Sequence, residues 1–171
     1  VCELVHRDHR LPCLVLRTSR FFPEPDDRPE VRNAYDDDNV KVNELLHRRV
    51  DIEDVVAAHL LAVERAPTLG FGRYIVSATT PFTPGDLAAV RADAPAVVRR
   101  LFPDQKAEYA RRGWRMFGHI DRVYVNERAR AELGWSPVYD LRHVLDLLKA
   151  GEDLRSPLAR AIGAKGYHPV T

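Results

Sequence analysis

The stretch LPCLVLRTSRFFPE, Leu11 to Glu24, constrains the fold more than any other part of this chain. Leu11 to Thr18 is a near-continuous apolar run, the pattern of a strand buried on both faces of a parallel sheet. A parallel strand has to be reached through a crossover from an earlier strand. Only ten residues precede this one, and they read as the last turns of a helix: VCELVHRDHR sets Val1, Leu4 and Val5 on one face and charges elsewhere. A partner strand is therefore expected upstream, and the chain reads as the carboxyl-terminal part of something larger. An orphan parallel strand exposes a hydrogen-bonding edge and apolar faces. By itself the chain is expected to form a homodimer through that surface or to be poorly stable.

Downstream, the Pro-rich and acidic FFPEPDDRPEVR predicts an irregular loop from Phe21 to Arg32. Val40, Val42, Leu45 and Leu46 suggest a short helix, and Arg49 to Ile52 a brief strand. Asp51 is placed to cap a helix from Glu53 to Arg65, with Val55, Val56, His59, Leu60 and Val63 as its apolar stripe and Pro67 and Gly70 as its stop. Gly72 to Ala78 reads as a second strand. Thr83, Pro84 and Asp86 form a capping-box variant before a helix. Residues 95–118 predict helical pieces broken at Pro103 and Gly113. DRVYVN then reads as a short strand, Asn126 as the cap of ERARAELGW, and YDLRHVLDLLKAG as an amphipathic helix; Ser156–Pro157 opens one more.

Net charge is +1, which gives no bulk field for nucleic acid or an anionic membrane. No apolar run approaches the ~20 residues that span a bilayer. Cys2 and Cys13 are the only cysteines, so a disulfide framework is not expected and a cytoplasmic setting is. The basic residues are overwhelmingly Arg, which supplies planar forks suited to phosphate or carboxylate. His6 and His9, three apart, lack a third ligand, so metal is not expected there. Asp36 to Asp38 reads as a solvated run without the glycine of a calcium loop. Trp114 and Trp135 read as packing anchors.

Four phrases in order resemble the NAD-dependent epimerases and dehydratases, the extended short-chain dehydrogenase/reductases: LPCLVLRTSRFFPE, HRRVDIEDVVAAHLLAVERA, GRYIVSATTPFTPGDLAAV and YVNERARAELGWSPVYDLRHVLDLL. The resemblance runs from Val1 to about Leu148, and ARAELGWSPVYDL is its most distinctive part. It implies an α/β fold, the carboxyl-terminal part of a Rossmann-type enzyme, with few short strands among helices. Residues 1–20 would be the end of the catalytic helix plus one strand of the Rossmann sheet. Residues 21–171 would be mainly a substrate-binding lobe with returning strands. The family's glycine-rich phosphate loop and Tyr-x-x-x-Lys pair do not occur in this sequence. Hydride chemistry with NAD or NADP would thus depend on a nucleotide-binding half, and this chain alone is expected to be inactive. The alternative is a non-catalytic ligand-binding or interaction module derived from the same family.

The resemblance also implies sites. Thr18 and Ser19 match positions that contact the cofactor. Arg20 stands beside them where the family usually has a substrate-binding Asn, and an Arg there suits a carboxylate or phosphate better than a sugar hydroxyl. Its other reading is a surface Arg paired with Glu24 or Asp26. His47 aligns with a phosphate-binding Arg of the family, with Arg48 and Arg49 adjacent; a solvated basic rim is the other reading. Arg115 lies nearest to a second family Arg that precedes the LGW phrase. The implied partner is a small-molecule substrate such as a nucleotide sugar, bound without a metal.

Overall fold

Two short parallel ladders organise the chain. In the computed structural model, which describes residues 1–164, α1 (Cys2–His9) leads into β1 (Cys13–Thr18), which pairs in parallel with β4 (Phe71–Val76). Cys13 lies opposite Phe71 and Thr18 opposite Val76. Between these strands the chain forms β2 (Arg20–Phe21), α2 (Pro29–Ala34), α3 (Asp37–Leu45), β3 (Arg49–Val50) and α4 (Ile52–Leu69). β2 and β3 make the second parallel ladder. Single backbone bonds tie the ladders together: Ser19 N–H donates to the Val76 carbonyl at 2.9 Å, and Ala78 N–H to the Arg49 carbonyl at 2.8 Å. The protein is mixed α/β, with few, short strands.

The face of β4 that carries Tyr74 and Val76 packs on α4, on α7 (Glu127–Leu133) and on Trp135, forming one core with Val55, Ala58, Ala62 and Leu133; Leu14 and Leu16 of β1 abut it. The opposite face carries α1. The His6 ring stacks on Phe71 at 6.1 Å, and Glu3 pairs with Arg73. β1 itself is only half-buried from Cys13 to Leu16 and exposed at Arg17 and Thr18, not buried on both faces as its composition predicts. Among the described residues no strand pairs with its second edge, and α1 buries none of its own side chains. The Cys13 and Ser19 amides bond toward β4, so ladder alternation turns the backbone groups of Leu14, Leu16 and Thr18 away from it.

The helix after Asp51 also departs from expectation. Its inward residues are Asp54, Val55, Ala58 and Ala62. Val56, Leu60 and Val63 point outward at 41%, 62% and 73% exposure, and His59 is exposed with them. The small Ala58 and Ala62 let α4 lie close against β4, which leaves the bulkier stripe facing out. Pro67 does not end the helix; it sits in the last turn, where it forfeits only the bond to Val63, and Gly70 at φ +70 makes the stop. Asp51 caps as expected, accepting from Glu53 N–H at 2.8 Å.

The second core joins α3 to α5 (Leu87–Leu101), α6 (Gln105–Arg112) and α8 (Leu141–Ala150) through Val42, Leu45, Val90, Val98, Val144 and Leu145. The Thr83–Asp86 capping box is formed ahead of α5, through a 3₁₀ turn at Pro84–Asp86. α9 (Pro157–Ile162) is capped by Ser156 Oγ at 2.9 Å. α2 replaces part of the expected loop, because Pro29 supplies a preset φ at the first helical position. DRVYVN is not a strand: Tyr124 N–H donates to the His47 carbonyl as a single bond to the turn after α3, and no ladder forms there. Asn126 precedes α7 without capping it, since its side-chain amide donates to Ser77 C=O at 2.9 Å and Thr79 Oγ1 at 3.1 Å. No helix among the described residues is long and apolar enough to cross a membrane.

Candidate functional site

β3 and the turn before it bring three of the expected cations to one place. α3 ends at Leu45, and His47, Arg48 and Arg49 follow within a single turn. Glu44 is fully buried and is the carboxylate that Arg48, Arg49 and Arg20 share. Arg48 Nε donates to Glu44 Oε1 at 2.9 Å, and Arg49 Nε to Glu44 Oε2 at 2.8 Å. Arg20, at the start of β2, lies 3.7 Å from Glu44 Oε1. Arg20 Nη1 and Arg48 Nη2 each donate to Asp26 Oδ2 at 2.8 Å, so one carboxylate oxygen joins the two loops. Burial pushes the Asp26 carboxyl up, but its bonds to Glu44, the Arg28 amide and Arg20 hold it below its ordinary range.

The three arginines differ in role. Arg49 is fully buried, and its Nη1 donates to the carbonyls of Phe21, Phe22 and Glu24 at 2.7, 2.9 and 2.7 Å. It clamps the loop after β2. Arg20 is engaged by Asp26 and Asp27 with 19% of its side chain exposed. Arg48 keeps 33% of its side chain exposed and lines a cavity of about 550 Å³.

His47 also lines that cavity and is 7% exposed. Burial, reinforced by the charge on Arg48, pushes its ring down to about 3, so it is neutral at physiological pH. Its Nδ1 has no partner among the described residues. Three aromatic rings form walls: Tyr35, Phe117 and Tyr124. Phe117 meets Tyr35 edge-on at 5.2 Å and His47 at 6.1 Å. Arg28 and Arg122 add cations to the rim. Arg122 is exposed and has no charge partner among the described residues, which leaves its guanidinium available to a ligand.

Arg115 is near this site without lining the cavity. Its guanidinium lies over the Tyr35 ring at 4.5 Å and its Nη2 donates to Ala34 C=O at 2.5 Å, so it backs an aromatic wall. Thr18 and Ser19 sit elsewhere, where β1 leaves β4. Thr18 is exposed, and Ser19 is buried with an unpartnered Oγ. No glycine-rich turn opens a helix beside this pair.

Sequence reasoning missed Tyr35, Phe117, Tyr124, Arg28 and Arg122. No local signal marks them: they come from a loop helix and from an extended segment that the Tyr124–His47 backbone bond lays across the site. A second cavity of about 680 Å³ shares the wall Ile120, Asp121 and Arg122 and reaches Thr79, Thr80 and Asn126 beyond β4. The arrangement is one for binding: a basic rim, aromatic walls and a neutral buried imidazole, suited to an anionic ligand that carries a ring. Neither family models, nor curated proteins, nor solved structures match this chain.

Proposed function

We propose that this chain is the substrate-binding portion of an NAD(P)-dependent epimerase, dehydratase or reductase that acts on a sugar or nucleotide sugar. The observation that supports it best is the convergence of His47, Arg48 and the Arg20 loop beside an aromatic-walled cavity. The parallel order of β1 with β4 and β2 with β3 agrees with a returning Rossmann-type sheet. Two cavities on either side of Ile120–Arg122 suit a ligand of two parts, an anionic linker near Arg122 and a ring on either side. Thr18 and Ser19 would meet the cofactor's edge. Hydride transfer would require a nucleotide-binding half that carries the phosphate loop and a Tyr-Lys pair.

Calorimetric titration with a uridine diphosphate hexose tests this reading. Saturable binding is expected, weakened about tenfold by Arg122→Ala, which is the loss of ~1.4 kcal/mol from one charged contact. Absence of saturable binding by the hexose nucleotide, its sugar phosphate and a sugar carboxylate would overturn it. So would binding that Arg122→Ala leaves unchanged.

A further inference from the structure

α5 is interrupted in its middle. Asp93 has φ −151° and ψ 80°, outside the helical range, and the element kinks there. In an unbroken helix the Ala94 N–H would donate to the Val90 carbonyl, four residues back. Instead the Ala94 N–H donates to the Gly118 carbonyl at 3.1 Å, and the Val90 carbonyl accepts from the Ile120 N–H at 3.2 Å. Both partners of one helical bond are thus spent on an extended segment that sits in the opened turn. The local sequence accounts for the opening. Asp93 Oδ1 accepts from the Ala96 N–H at 3.0 Å, three residues on, which is the bond an N-cap makes to a new helix. Counted from that cap, Pro95 stands in a first turn, where its missing N–H forfeits no ladder bond.

The segment held in this turn is the wall that the two cavities share. Ile120, Asp121 and Arg122 line both, and Gly118 lines the one beside His47. Two further anchors flank the opened turn. On one side Arg115 N–H donates to Asn39 Oδ1 at 3.1 Å, and the Arg115 carbonyl accepts from Asn43 Nδ2 at 2.9 Å. On the other, Tyr124 N–H donates to the His47 carbonyl at 2.9 Å. α5 supplies the middle anchor, to which Arg91 adds an exposed pair with Asp121 at 3.3 Å. Ile120 is 5% exposed and belongs to the same core as Val90 and Ala94, and Arg122 follows it by two residues.

We propose that Asp93 is a positioning residue for the ligand site, a role that rests on the two cavities taking one ligand. Its cap keeps one turn of α5 open, and the open turn sets where the shared wall, and with it Arg122, stands relative to His47 and Arg48. Asp93 itself is exposed. Closing the turn would return the Ala94 N–H to the Val90 carbonyl and release Gly118 and Ile120 together.

Asp93→Ala with Pro95→Ala removes the cap and restores an N–H, which favours an unbroken helix. Hydrogen exchange read by NMR is expected to show the Ile120 amide about tenfold less protected than in the unmodified chain. Calorimetry with a uridine diphosphate hexose is expected to show about tenfold weaker binding. Asp93→Asn, which keeps an oxygen for the Ala96 N–H, is expected to hold both readouts within about twofold of the unmodified chain. Should the double variant not fold, Asp93→Ala alone is expected to move both in the same direction by about threefold. An Ile120 amide that stays protected, an affinity that does not change, or an Asp93→Asn chain as impaired as the alanine variant would each overturn the proposal. An unmodified chain that binds no hexose nucleotide overturns the functional reading instead, and exchange at Ile120 then still decides whether Asp93 holds the wall.

Discussion

Arg49 Nε sits 2.8 Å from Glu44 Oε2, and neither side chain exposes any surface. This buried pair holds the end of α3 to β3, and through Nη1 it also holds three carbonyls of the loop after β2. Loss of one partner leaves a buried charge uncompensated. Arg49→Met is expected to cost about 3–5 kcal/mol of stability, and the double change Arg49→Met with Glu44→Leu less than the single one. Urea unfolding measures both. A cost of Arg49→Met under ~1 kcal/mol, the size of an exposed pair, would mean that the clamp is not structural.

His47 carries a pH dependence of known sign. Its ring is held at about 3 in the fold, against 6.5 as the ordinary value. A depressed pKa means that the unfolded chain binds the proton first, so the stability is whole above pH 6.5 and is lost as pH falls toward 3. Between pH 7 and 5 the native chain is expected to lose about 2 kcal/mol relative to His47→Gln. Urea midpoints for the two chains over that range decide it; parallel curves would mean that the ring is not held neutral by burial.

Asp54 acts with the opposite sign. It is 4% exposed, and its carboxylate accepts from Val138 N–H at 2.8 Å and Tyr139 N–H at 2.9 Å. Burial outweighs those bonds and pushes the carboxyl up to about 6. A raised folded pKa contributes stability below the ordinary carboxylate range and loses it as pH rises through 6. Against Asp54→Asn, which does not titrate, the native chain should therefore lose up to ~3 kcal/mol between pH 4 and 7. A difference that grows with pH would mean that the two amides prevail over burial.

Gly72 is required by contact, not by backbone angle. A Cβ there would fall 2.4 Å from Tyr74 Oη and 2.6 Å from its Cε2. Tyr74 is buried and donates to Glu132 Oε2 at 2.7 Å, so its ring has little room to yield. Gly72→Ala is expected to cost ~1–3 kcal/mol, the range of an overpacked core. Adding Tyr74→Val should recover part of it. Thermal unfolding of the two variants is the check, and a neutral Gly72→Ala would show that the ring moves freely.

Local signals carried as far as local physics reaches. The apolar run to Thr18, the Asp51 and Ser156 caps and the Thr83–Asp86 box were legible because each depends on residues a few positions apart. Gly70 marked its helix stop because its positive φ is a property of that residue alone. His47, Arg48 and Arg115 could be singled out through the family resemblance. Their surroundings could not. Which stripe of α4 turns inward was settled by the close approach of Ala58 and Ala62 to β4, which periodicity treats as equal to the bulkier stripe beside it. Arg49 reads like Arg48 in sequence, yet a parallel ladder buries one and leaves the other on a cavity. The rings of Tyr35, Phe117 and Tyr124 also meet only through contacts between distant segments. Composition and spacing set what each residue is able to do; only the tertiary contacts decided beside what, and in which protonation state, it does it.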